Sequence, residues 1–351
     1  MSKIAIIGTT SWGITLGIIL ARKSDEIRVW ARTAKEAERL TTIGLDQQRF
    51  PDVTVPEGMT FTPRIAEALD DADALVLAVP APTMRQNIIQ AAPHITKSML
   101  VVSVSKGFET GSNKRMSEII AEEINERFAG NICALSGPNL AREIVRGQPA
   151  AAVVASENTD STKKAQRILT CPDFCVFTNS DIIGVELGGA LKNIIALGAG
   201  IADGLSYGDN AKSAFITRGL TEITALGISL GANPLTFSGL AGLGDVITTC
   251  ASPLSRNHQV GEQLATGRSL EDILESMDEV AEGVNTTLAV HTIAEKLGLE
   301  MPISETMYSI LYEGLDPHDG ARRLMGGNVK HELVGRRWRL FSVFRRAGKQ
   351  T

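Results

Sequence analysis

Cysteine is scarce in this chain: Cys133, Cys171, Cys175 and Cys250 are the four in 351 residues. They are too few and too scattered for a disulfide framework. The close pair Cys171/Cys175 lacks the second Cys or His pair that structural zinc requires. An excess of positive charge is also missing. Lysine and arginine total 35 against 40 acidic residues, and a net charge of −5 argues against a nucleic-acid binder, which would normally show a basic face. The opening residues 1–8 run straight into an apolar stretch, with no basic region or small-residue cleavage site, so no leader is expected. No apolar run reads as long enough to cross a bilayer. A reduced, cytoplasmic protein without a metal is the expectation.

Hydrophobic residues make up 43 % of the sequence, enough for two domains of ordinary size. Up to about residue 180, short runs rich in Val, Ile and Ala alternate with helical patterns. The pattern predicts strands over 3–8, 27–31, 74–79, 99–105, 132–136, 151–155 and 174–178. Helices are predicted around 12–23, 82–92, 114–127 and 161–169. Apolar runs without polar alternation indicate a sheet covered on both faces, and strand–helix alternation indicates a doubly wound, mainly parallel one. Beyond residue 180 strand signals vanish. Helices are predicted there over 181–202, 209–231, 257–266, 270–277, 286–297 and 304–312. The expected organisation is α/β: a Rossmann-like dinucleotide-binding domain over 1–180, an all-helical domain over 181–335, and a tail over 336–351.

The first predicted turn, "GTTSWG", lacks the middle glycine of the dinucleotide fingerprint and reads Gly8, Thr10, Gly13. Its context, after the first strand and at the start of the first helix, is the one the mechanism demands. Gly8 suits the tight turn and Gly13 suits close helix–strand packing. The amides of Ser11 and Trp12 at the helix start can bind phosphate, and the Thr10 hydroxyl is a candidate substitute contact. A second lack follows. Where an NAD site usually has a carboxylate, after the second strand, the segment "RVWARTAK" has Arg32 instead. Arg32 can pair with a 2′-phosphate, which favours NADP(H), with NAD(H) as the alternative.

Lys106 lies just beyond the predicted strand "VVSVS", at the sheet edge where ligands bind in open α/β folds. Lys192 sits in "GGALKNIIALGAGIADG". On a helix its neighbours at three and four residues' spacing are Gly188, Gly189, Ile195 and Ala196. An ammonium on so small and apolar a face is costly unless paired, and it is suited to proton transfer. In "GLAGLGDVITTCASPLSRNHQVGE", Ser255 reads as a helix N-cap followed by Arg256 and Asn257, a ready phosphate site. Asp245 is read in a glycine-rich loop, where it can orient Lys192.

With these segments in view, the sequence resembles the NAD(P)-dependent glycerol-3-phosphate dehydrogenase family of bacterial type, from Lys3 to about Leu333. The matching stretches are "GTTSWG", "SVSKG", "LSGPNLAREI", "GGALKNIIALGAGIADG", "ITRGLTEI", "LAGLGDVITTC", "SRNHQVG" and "VAEGVNTT". The resemblance implies interconversion of dihydroxyacetone phosphate and sn-glycerol 3-phosphate, supplying glycerol 3-phosphate for phospholipid synthesis, in a homodimer. It implies that Lys192 transfers the proton and that Lys106 stands near substrate and cofactor. Asp245 and Thr249 fall beside the active site, Ser255, Arg256 and Asn257 at the substrate phosphate, and Gly137 and Asn139 in a substrate loop. Ser11, Trp12, Arg32, Ala141, Arg256, Val280 and Glu282 match cofactor positions. The alternatives are a related β-hydroxyacid or ketopantoate-type dehydrogenase and a cofactor-binding sensor without catalysis. The tail "GRRWRLFSVFRRAGKQT" carries six basic and no acidic residues, with Trp338, Phe341 and Phe344 three apart. A weak membrane-surface contact is one reading of it, and an intersubunit contact or frayed terminus the other.

Overall fold

The computed structural model describes residues 2–23, 26–277 and 279–326. The basic-aromatic tail and the end of the predicted helical domain lie outside them.

Eight strands form one sheet: β1 Lys3–Ile7, β2 Glu26–Trp30, β3 Met59–Thr62, β4 Ala74–Leu77, β5 Leu100–Ser103, β6 Ile132–Ser136, β7 Ala150–Ala155 and β8 Phe174–Asn179. Their spatial order is β3-β2-β1-β4-β5-β6-β7-β8. Pairing is parallel throughout except between β6 and β7, where Ser136 pairs with Val153 and Ala134 with Ala155 in antiparallel register. The strand order reverses between β1 and β4, which makes their carboxyl ends the crevice of a doubly wound sheet.

Seven helices accompany these strands: α1 Ser11–Arg22, α2 Ala34–Thr42, α3 Ile65–Leu69, α4 Met84–Ala91, α5 Met116–Glu123, α6 Ala141–Ile144 and α7 Thr159–Leu169. On β1, Ile4 and Ile6 join one buried cluster while Ala5 and Ile7 join another on the opposite face. The sheet is covered on both sides, as the unbroken apolar runs predict.

Beyond Asn179 the described residues are helical: α8 Ile182–Gly204, α9 Asp209–Ser229, α10 Asp245–Ala251, α11 Arg256–Ala265, α12 Leu270–Glu275, α13 Glu282–Leu297, α14 Pro302–Tyr312 and α15 Pro317–Met325. Helix α8 is the axis of this half, and Leu187, Leu191, Ile194, Ile195 and Leu197 are all inaccessible in its core. By length and composition α8 is apolar enough to cross a membrane, contrary to the expectation that no run is. Its apolar window is 89 % buried inside the protein, so it is a core helix. Ile182 and Val185 at its start belong to the cluster on one face of the sheet, so the two halves share a core.

Several elements were not predicted from the sequence. Strand β3 is four residues at the sheet edge, two of them threonine, too short for a period to show. Helix α2 buries only Ala37 and Leu40, and Thr33 caps it by accepting from Glu36 N at 3.1 Å.

Candidate active site

Lys106 follows β5 by three residues, at the carboxyl edge of the sheet. Its Nζ donates to Gly137 O at 2.8 Å and to Asp245 Oδ2 at 2.5 Å. Lys192 lies in the middle of α8, 8 % exposed, and donates to Asp245 Oδ1 at 2.7 Å and to Thr249 Oγ1. Asp245, 1 % exposed, therefore bridges two ammonium groups. The expected loop position of Asp245 is corrected: a π-helical turn, Leu240–Gly244, leads into α10, of which Asp245 is the first residue. The run of small residues disguised that turn as a loop. Thr249, one helical turn on, also donates to Asp245 Oδ1, at 3.2 Å.

The double glycine before Lys192 now has a reason. A Cβ on Gly189 would lie 2.3 Å from Ser136 Oγ and 3.4 Å from the Lys106 side chain, and one on Gly188 would lie 2.5 Å from Ala241 O. Only glycine lets α8 press this close to β6 and to the turn before Asp245. The result is two cations on one buried carboxylate, a net positive site where water is largely excluded. Burial pushes the Lys106 ammonium down to about 8, Asp245 pulls it up, and Lys192 adds to the lowering. Such a pair of donors can stabilise an oxyanion that develops between them.

Ser255 caps α11 as expected, accepting from His258 N at 3.3 Å. Arg256, the next residue, has a side chain 45 % exposed and donates to Val280 O at 3.1 Å. Asn257 is buried with both side-chain ends engaged: Nδ2 donates to Asn193 Oδ1 and Oδ1 accepts from Gly283 N, each at 2.9 Å. Its side chain thus ties α8, α11 and α13 together. Asp203 holds the same end of α11 through His258 Nε2 at 2.7 Å and is itself paired with Lys212. Gly137 adopts φ +134°, turning its carbonyl onto Lys106. Asn139 donates to Ala151 O at 3.3 Å, and its Oδ1 is buried without a partner.

At the glycine turn, a Cβ on Gly8 (φ +118°) would lie 2.3 Å from Ala78 O, and one on Gly13 would lie 2.3 Å from Gly8 O. Both glycines are therefore needed for packing. The Thr10 hydroxyl is not turned toward a ligand as expected. It donates to Ala78 O at 2.8 Å and accepts from Gly13 N at 3.1 Å, so it caps α1 and joins it to the end of β4. The Trp12 ring stands edge-on to Phe174, with centroids 6.0 Å apart, and packs on the core. Arg32 is exposed after β2 and forms no ion pair among the described residues. Ala141 opens α6, and its carbonyl accepts from Thr15 of α1 at 3.4 Å.

Two further expected cofactor positions, Val280 and Glu282, lie beside Arg256 in the helical half. Val280 is 43 % exposed. Glu282 Oε1 accepts from Ala81 N at 2.9 Å, while Oε2 is buried without a partner. Burial raises its carboxyl to about 7, against the Ala81 N–H and Arg256. An orphaned acceptor beside the β1/β4 crevice suits the hydroxyl and amide donors of a nicotinamide dinucleotide, so the residues fit that group.

Two residues escaped the sequence reading. Glu279 accepts from Ser11 N and Oγ at 3.2 and 2.8 Å, and from Arg49 at 2.5 Å. The amide of Ser11, expected to face phosphate, is thus taken by a carboxylate. Nothing in the sequence pairs residues 230 or more positions apart, and the segment holding Arg49 has no periodicity.

Comparison with known proteins shows the family. Residues 3–162 match the model of the NAD-dependent glycerol-3-phosphate dehydrogenase N-terminus, and residues 181–322 match that of its C-terminus. A Dehalococcoides mccartyi glycerol-3-phosphate dehydrogenase [NAD(P)+] is 58 % identical over 347 residues, 99 % of this chain and 97 % of that one. A relative of the same name from Geobacillus thermodenitrificans is 44 % identical over 95 % of this chain and 97 % of its own. The crystal structure of glycerol-3-phosphate dehydrogenase from Coxiella burnetii superposes with a TM-score of 0.87 at 33 % identity, covering 93 % of this chain and 99 % of that one. A ketopantoate reductase from Ralstonia eutropha shares the fold alone, at 15 % identity and a TM-score of 0.56 over 90 % of this chain and 99 % of its own. The chain is an NAD(P)-dependent dehydrogenase and belongs to the glycerol-3-phosphate dehydrogenase family.

Proposed function

We propose that this enzyme interconverts dihydroxyacetone phosphate and sn-glycerol 3-phosphate. The observation that carries the reading is the pair of ammonium groups, Lys106 and Lys192, bridged by buried Asp245 at the carboxyl edge of the sheet. When bound, the nicotinamide supplies or accepts the hydride. Lys192 holds a proton at Nζ for the substrate oxygen, and Asp245 and Thr249 fix the direction in which that Nζ points. Lys106, held by Gly137 O, adds positive charge beside the same oxygen. Ser255, Arg256 and the first turn of α11 anchor the substrate phosphate, with Asn257 holding that turn in place and Gly137 and Asn139 closing the other side. Anchoring a remote phosphate orients the carbonyl and keeps the reaction effectively unimolecular.

For the coenzyme we propose a preference for NADP(H), with Arg32 pairing the 2′-phosphate and Ser11, Trp12, Ala141, Val280 and Glu282 lining the remainder. The test is the initial rate of NADPH and NADH oxidation with dihydroxyacetone phosphate. Wild type should turn over, and Lys192→Ala should lose about 10²–10⁴-fold in kcat, the range for a positioned proton donor. Arg32→Ala should weaken NADPH about tenfold or more and leave NADH unchanged. Full activity in Lys192→Ala would remove it from the chemistry.

The reading places the enzyme in the cytoplasm as a homodimer supplying glycerol 3-phosphate for phospholipid synthesis, with the tail over 336–351 as a weak membrane-surface contact. Light scattering tests the dimer. Co-sedimentation with anionic vesicles, with and without residues 336–351, tests the tail, and equal binding by both would refute it.

A further inference from the structure

Three elements converge on one carboxylate at the mouth of the glycine turn. Glu279, in the link between α12 and α13, accepts through Oε1 from Ser11 N, Ser11 Oγ and Arg49 Nη2. Its Oε2 lies 3.4 Å from Arg256 Nη1. Arg49 also donates from Nε and Nη2 to Ser11 Oγ, at 3.2 and 3.0 Å. Burial opposes ionisation of Glu279, but Arg256 and Arg49 outweigh it and hold the carboxyl below its usual range. Ser11 is the first residue of α1, so the carboxylate rests on the positive end of that helix.

In a sheet of this order, the start of α1 after the glycine turn is where a dinucleotide's diphosphate lies. A carboxylate and a diphosphate seek the same partners there: the helix amide and the guanidinium groups beside it. Both cannot hold them at once. Two guanidinium groups and a helix end also exceed what one carboxylate neutralises, whereas a diphosphate carries a second charge for them.

We propose that Glu279 holds the place of the coenzyme's diphosphate in the cofactor-free enzyme, and that Arg49 becomes a phosphate-binding residue once the carboxylate is displaced. The proposal rests on the coenzyme role of the glycine turn. The same displacement acts at a distance. Arg256 donates to Val280 O, and Glu282 follows two residues later, so moving Glu279 shifts the backbone that presents both cofactor positions. The effect is the same for NADPH and NADH, because both carry one diphosphate, and this separates it from any effect of Arg32.

The test is direct binding of NADPH, NADH and inorganic pyrophosphate to the full-length protein, followed by tryptophan fluorescence or calorimetry. If the latched form predominates about ten to one, Glu279→Gln should tighten both coenzymes about tenfold and equally. Pyrophosphate should tighten with them. Arg49→Met should weaken binding more in the Glu279→Gln background than in wild type, where losing Arg49 also loosens the latch. Unchanged or weaker coenzyme binding in Glu279→Gln would overturn the latch, and an equal Arg49→Met effect in both backgrounds would overturn the hand-over. A wild type that binds neither coenzyme would overturn the coenzyme reading of the turn, and the latch with it. Superimposable melting curves for the variants would exclude unfolding as the cause.

Discussion

Asp245 shows how much one buried side chain can arrange. With a single carboxylate it holds two lysines from elements 86 positions apart in the chain, Lys106 after β5 and Lys192 in α8. Burial brings the Lys106 ammonium down to about 8. Below that pH it is an ammonium, and above it a neutral amine with nothing to offer an oxyanion. Ketone reduction should therefore fall off above about pH 8, and in Lys106→Arg, charged at every accessible pH, that limb should move upward even if the rate is lower. A pH–rate profile of the two proteins decides this, and an unmoved limb would assign the titration to another group. The lysines, Arg256 and the Ser255 cap were legible in the sequence because each stands in a local pattern: a strand end, a glycine-rich helix face, a helix start. Arg49, Glu279 and the inward turn of the Thr10 hydroxyl were not, because each is defined by partners that only folding brings near.

At the scale of elements, closeness of backbone is the recurring device. A Cβ on Gly261 of α11 would lie 2.0 Å from Leu197 O and 2.8 Å from Ile201 N, both backbone atoms of α8. Gly261→Ala should cost about 1–3 kcal/mol or more by overpacking. Because α11 also carries Arg256, the KM for the triose phosphate should rise with the fall in Tm. An unchanged Tm would mean that the two helices part without penalty. Helix α14 depends on a different device, since its start is held by Glu222 of α9. That carboxylate accepts from Ile303 N at 2.9 Å and from Ser304 N and Oγ at 2.8 Å each. Burial nonetheless raises its pKa to about 7. The folded protein thus keeps a proton that the unfolded chain releases near its ordinary pKa of about 4.3. The contribution to stability is full below that value, declines as pH rises to about 7, and stays lost above. Glu222→Gln, uncharged throughout, should gain Tm relative to wild type between pH 5 and 8. A difference that does not vary with pH would show that Glu222 does not titrate in this range. Most of the longer helices were read from the sequence, but α2 and α15 were missed although both are amphipathic. Helix α10 was not legible, because glycine and alanine around a π-helical turn leave no period to read.

At the scale of the molecule, the antiparallel pairing of β6 with β7 decides where the helical half begins. Since β7 and β8 run against the other strands, β8 ends level with the interior of β6, away from the ligand-binding edge. Helix α8 must start there and climb the face of the sheet, its first turns packed on it and Gly189 reaching Ser136 at the end of β6. The helix is therefore a gauge rod laid against the sheet: the number of residues below Lys192 sets both its height and its compass bearing. One alanine inserted between Leu187 and Gly188 would advance the lysine about 1.5 Å and swing it through about 100°. Turnover should vanish while coenzyme affinity at the glycine turn, which α8 does not build, is kept. Loops elsewhere in this chain should tolerate a change of length that this climb does not, because only here does each added residue turn the lysine away from Asp245 and Lys106.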